Sequence, residues 1–132
     1  MEPTLFSDRD RRGQMIVAGL LPAIIGAVAG VLLGVSTGAY WAISVLAALG
    51  AVVAGFEHLD ARSAAIRGVI AGAVYGVALL LAHAIAGTDA KVSLGDFPPF
   101  LVVITAVVGA ALTAFGAWLA RGRRDRAAPT NP

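Results

Sequence analysis

Long runs of apolar residues constrain this chain most. Between residues 15 and 56, and again after Arg67 and after Asp96, no Asp, Glu, Lys or Arg appears for at least the length of a membrane-crossing helix. Such a run either crosses a bilayer or lies deep in a large core, and 132 residues cannot build cores of that size around several of them. With 58% hydrophobic residues and a mean hydropathy of +0.83, the chain lacks the polar surface that a soluble domain needs. Lipid is the expected solvent.

The runs resolve into spans at about residues 15–35, 39–56, 66–86 and 98–120. Ser36-Thr37-Gly38 reads as a turn, and Tyr40 and Trp41 open the second span, where amphipathic rings prefer the headgroup boundary. The charged stretch 57–67 divides the chain in two, with Asp60 or Ser63 as the N-cap of the third span. A polar loop at 87–97 carries Asp89, Lys91 and Asp96, and Pro98 and Pro99 fit a first helical turn, where no N–H is needed. The expected fold is all-α: a polytopic four-transmembrane-helix bundle made of two helical hairpins. Residues 1–14 form a polar segment in which Ser7 and Asp10 have capping-box spacing, and residues 121–132 read as a basic, disordered tail.

Charge sets the orientation. The net charge of +2 and pI near 9.7 do not mark a nucleic-acid binder, because the basic residues stand at the ends of apolar runs without an interleaved aromatic or polar stripe. Arg9, Arg11, Arg12, Arg62, Arg67, Arg121, Arg123, Arg124 and Arg126 fall on one side of the four spans, and Lys91 on the other. Both termini are therefore expected in the cytoplasm, with the arginines as topology markers touching lipid phosphates. A cleaved signal peptide is the competing reading of the first span, since Ala27-Val28-Ala29 imitates a cleavage site, although apolarity continues beyond it through Val35. The absence of cysteine removes disulfides, thiolate metal sites and thiol redox chemistry.

Helices in lipid associate by close packing, which small residues permit. Gly26, Gly30, Gly34 and Gly38 recur at intervals of four in the first span, as do Gly68, Gly72 and Gly76 in the third. These grooves serve packing within one bundle or, facing outward, a homo-oligomer or a larger membrane complex. Pro22 is expected to bend the first span. Ala47, Gly50, Ala51 and Phe56 recur at matching spacing as Ala106, Gly109, Ala110 and Phe115, a faint sign of a duplicated hairpin.

Few residues carry chemistry. If the second helix continues past Phe56, Glu57 and Asp60 share a face beside His58, a group able to pass protons or hold a cation, although its spacing matches no metal signature. The competing reading is a solvated turn neutralised by Arg62 and Arg67. Tyr75 and His83 are the polar residues within the third span. His58 and His83 fall at opposite membrane faces, so one chain cannot use both to ligate a haem. Ser44, Thr105 and Thr113 can bond back to their own helices. No charged residue lies in the middle third of any span, and the only asparagine is Asn131.

The layout resembles small four-span bacterial membrane proteins, such as small multidrug transporters and fluoride channels, in size and span count. The mid-membrane glutamate of the first and the asparagine-containing motif of the second are absent, so no family follows. The expected function is that of a structural, accessory or self-associating component of the bacterial cytoplasmic membrane, with no enzyme activity, cofactor or metal. The alternative is a small oligomeric ion or solute transporter or channel marked by Glu57, His58, Tyr75 and His83.

Overall fold

The computed structural model describes residues 4–129, all helical or loop, and within them four helices are long and apolar enough to cross a membrane. These are α1 (Arg11–Leu33), α2 (Thr37–Gly55), α3 (Ala61–Ala86) and α4 (Phe100–Ala127). Residues 1–3 and 130–132, including Asn131, lie outside the described residues.

Each helix begins or ends where its local chemistry dictates. Asp10, rather than Ser7, caps α1, its carboxylate accepting the Gly13 N–H at 3.0 Å. Ser36 caps α2 through Ala39 N–H, and Asp60 caps α3 by accepting Ser63 N–H at 2.8 Å. Gly87 ends α3 in the left-handed conformation (φ 64°), its N–H donating to His83 O, a backbone position that glycine adopts without strain. Within α1, residues Ile16–Leu20 form a π-turn in which Leu21 N–H donates to Ile16 O. The widened turn lies directly before Pro22, whose ring would clash with a carbonyl in a regular helix.

The helices differ in places from the sequence expectation. α3 starts at Ala61, directly after Asp60, the first of the two N-cap candidates. α4 carries the basic cluster on to Ala127, so residues 121–127 of the stretch expected to be a disordered tail are helical. α2 ends at Gly55, and Glu57 and Asp60 therefore share no helix face. Glu57 lies in the turn that follows α2, whereas Asp60 caps the next helix.

Helix α3 is the hub, packed along α4 and α1. Contact is backbone to backbone: a Cβ on Gly68 would overlap Gly109 O and Thr113 Oγ1, one on Gly72 would overlap Thr105 O, and one on Gly76 would crowd Thr105 Oγ1. The residue order shows that α3 and α4 run antiparallel. Gly26 and Gly30 of α1 meet Tyr75 and Leu79 in ascending order, so α1 and α3 run parallel; Gly34 meets Thr88 beyond the helix end. Thr113 adds a polar link, its hydroxyl donating to Ala64 O of α3 at 2.8 Å as well as lying near its own helix carbonyls. Gly55 and Gly116 seat α2 on α4. α2 scarcely touches α3. The two halves of the faint repeat sit differently, for Gly50 faces open space while Gly109 abuts Gly68.

At the end holding the 87–99 loop, Ala29, Leu33, Tyr40 and Leu79 form a small core, and Val92, Leu94 and Leu101 pack on it. Lys91 N–H donates to Leu33 O at 2.8 Å, which folds the loop back over the end of α1.

Candidate functional site

At the other end, four segments converge on the turn after α2. A helix that ends at Gly55 leaves carbonyls without intrahelical donors and carries the negative end of its dipole there. The N–H groups of Phe56, Glu57 and His58 turn back onto Val53, Ala54 and Gly55 O, and arginines from two other helices add their positive charge at this end. Arg67 of α3 donates to Ala54 O at 3.1 Å, and Arg124 of α4 donates to Phe56 O at 3.1 Å and to His58 O at 3.3 Å. The N-terminal segment closes the group, with Phe6 N–H donating to Glu57 O at 2.8 Å.

Glu57 lies between two guanidinium groups. Arg9 donates to its Oε1 at 2.7 Å, a charge-assisted hydrogen bond, whereas Arg67 Nη1, bonded to Ala54 O, stands 3.8 Å from Oε2 and attracts it without a hydrogen bond. Arg67 is 6% exposed, and its guanidinium lies 4.8 Å from the Phe6 ring centre. Among the described residues, Arg9 Nε, Glu57 Oε2, His58 Nε2 and Arg67 Nε are buried without a hydrogen-bond partner.

His58 is buried with its ring 5.2 Å from Phe6. Burial, then the Arg67 charge, hold its pKa below the ordinary 6.5, against an opposing pull from Glu57 and Asp60. Because the folded value lies below the unfolded one, the stability contributed by neutral His58 is complete above about pH 6.5 and is lost as pH falls through the folded pKa. Unfolding of the detergent-solubilised chain between about pH 7.5 and 5 should show this loss, and His58→Gln should flatten it. Asp60 is exposed, and the Ser63 N–H and hydroxyl hold its pKa below the ordinary 3.8.

From this cluster a half-enclosed cavity of about 490 Å³ runs between α2 and α3. Arg67 and Glu57 line one end, and Tyr40, Ser44 and Tyr75 the other, where the Tyr75 hydroxyl lies 3.5 Å from Ser44 Oγ. The walls between are apolar, and Leu21, Leu46 and Val108, exposed on the outer surface, stand at the rim.

The structure brings Glu57 and His58 together but leaves Asp60 apart as a helix cap. Tyr75 faces the cavity. His83, in the last turn of α3, does not line it, and its Nδ1 is buried without a partner among the described residues. Arg11, Arg12, Arg62, Arg121 and Arg123 are exposed, Arg123 lying over the Phe56 ring at 5.5 Å. Arg67, expected at lipid phosphates on the surface, is instead buried in the cluster. Its position three residues after Ala64 and beside Gly68 already puts it on the inward face of α3, the one signal that could have revealed its burial. Among the described residues no three His, Asp or Glu gather as a metal site. No protein-family model matches the chain, and neither any curated protein nor any solved structure matches it at a significant level.

Proposed function

We propose that the chain is a small integral protein of the cytoplasmic membrane, a four-helix transmembrane bundle of two hairpins with both termini cytoplasmic. It acts as an accessory component that binds within the bilayer rather than as an enzyme. One observation carries this reading. Helices of 19 to 28 residues are apolar over membrane-crossing lengths, while the arginines gather at the end where α1 and α3 begin and α2 and α4 finish. At 1.5 Å per residue, even α2 covers about 28 Å of a hydrocarbon core about 30 Å thick. An excess of arginine at one end is the signature of the cytoplasmic face, and Lys91 stands at the other.

The accessory reading draws on the packing. The glycine seams are occupied within the chain by Tyr75, Leu79, Thr105 and Gly109, so a second copy or a larger complex meets outward apolar side chains such as Val45, Leu49 and Val53 of α2. A cavity rimmed by exposed apolar residues suits a guest from the bilayer. The runner-up, an oligomeric transporter of ions or small solutes, is supported by the same cavity through the charges at its end.

A chain without cysteine allows single sites to be placed cleanly. A membrane-impermeant maleimide should label Ser93→Cys in intact cells and Ala128→Cys only after permeabilisation. The opposite pattern would overturn the orientation. In reconstituted vesicles, ion or solute flux altered by Glu57→Gln would replace the accessory reading with the transporter.

A further inference from the structure

We propose that the cavity between α2 and α3 binds one anionic phospholipid, with its phosphate on Arg67 and an acyl chain along the apolar walls. The inference rests on the membrane reading above for its surroundings and adds a specific occupant.

Charge argues for the anion. Glu57 Oε1 is already taken by Arg9 at 2.7 Å, and Arg67 stands 3.8 Å from Oε2, beyond hydrogen-bond length. The close hydrogen bond of Arg67 is to the neutral Ala54 carbonyl, and its Nε has no partner among the described residues. A guanidinium cannot shed its proton to escape burial, so among the described residues Arg9 and Arg67 share the one carboxylate of Glu57 and one positive charge is left over. A buried charge is costly until it is paired and hydrogen-bonded. A phosphate brings both the opposite charge and several acceptor oxygens.

Shape argues for the tail. The volume of about 490 Å³ lies in the range of small-molecule sites, and Ile25, Ala47, Ala51 and Ala71 line it with hydrocarbon. From Arg67 to Tyr75 the cavity follows about 12 Å of helix, close to the roughly 15 Å of one bilayer leaflet. Its charged end therefore sits at headgroup level while its apolar length sits at acyl depth. Free phosphate would leave that length unfilled, and a lipid without net charge would leave the surplus on Arg67. Phe6 covers the guanidinium from the N-terminal side, and the exposed rim residues Leu21, Leu46 and Val108 mark a lateral way in from the bilayer.

The test uses the full chain, reconstituted in mixed phosphatidylglycerol and phosphatidylcholine vesicles, extracted in mild detergent and weighed intact by native mass spectrometry. The wild-type chain should retain one phosphatidylglycerol. Arg67→Gln should weaken retention by about ten- to a hundredfold, the loss of a charged hydrogen-bonding group. Because Arg67 also holds Ala54, Ala71→Leu provides a second variant that leaves the polar cluster whole and blocks the tail; it should lose the lipid with unchanged circular dichroism. Equal retention of phosphatidylcholine, no retained lipid, retention unchanged in both variants, or displacement of the lipid by inorganic phosphate would each overturn the proposal. Failure of maleimide labelling would strike the membrane reading, whereas correct labelling with no selective lipid would strike this inference alone.

Discussion

Gly68→Ala, a single added methyl group, is expected to destabilise the packed chain by about 1–3 kcal/mol, the usual cost of overpacking a closed interface. The new Cβ would overlap Gly109 O and Thr113 Oγ1. Neither can yield locally. The carbonyl belongs to the backbone of α4, and the hydroxyl is committed to Ala64 O at 2.8 Å. A Cβ on Gly109 would in turn overlap Gly68 O, so each of these two glycines leaves room for the other's carbonyl. Relief requires α3 and α4 to separate along the seam that Gly72 and Gly76 continue. Gly50→Ala is the matched control, because nothing lies within 4 Å of the added Cβ. It should instead stabilise α2 by about 0.5–1 kcal/mol through lower backbone entropy. Unfolding in mixed micelles, followed by helix signal, measures both; equal effects would show that backbone closeness does not decide the packing.

The helices were legible because apolar length and capping residues act locally. Asp60 and Gly87 bracket α3 by hydrogen bonding and backbone conformation that need no tertiary information. The basic end of α4 was not legible in this way. Its helix persists past Ala120 in part because Arg124 reaches the carbonyls of Phe56 and His58, partners 68 and 66 positions away in sequence. The candidate site was half legible for the same reason. Glu57 and His58 stand out in the sequence as charged and titratable residues between apolar runs, but grouping them with Asp60 requires α2 to continue beyond Phe56, and it ends at Gly55. The true neighbours of Glu57 are Arg9 and Arg67, and Phe6 completes the cluster by stacking. No periodicity links residues 6, 9, 57 and 67. Only the parallel course of α1 and α3 places them side by side.

That convergence predicts a second large effect: Glu57→Gln should cost about 2 kcal/mol, between the values below 1 for exposed pairs and the 3–5 for breaking fully buried ones. The intermediate value follows from the exposures, with the Glu57 side chain 15% exposed between Arg9 at 32% and Arg67 at 6%. Glutamine keeps the size and one acceptor but removes the charge, so the two guanidinium groups repel without an intervening carboxylate. A double-mutant cycle apportions the loss. Coupling of Glu57 to Arg9 should exceed its coupling to Arg67, since the first contact is a hydrogen bond at 2.7 Å and the second a separation of 3.8 Å. The same substitution should strengthen retention of phosphatidylglycerol, because it removes the carboxylate that, among the described residues, competes with a phosphate for Arg67. A variant less stable in detergent yet selectively rescued by anionic lipid is thus the expected pair of results. Rescue by phosphatidylcholine to the same degree would mean that Glu57 balances the arginines for folding alone.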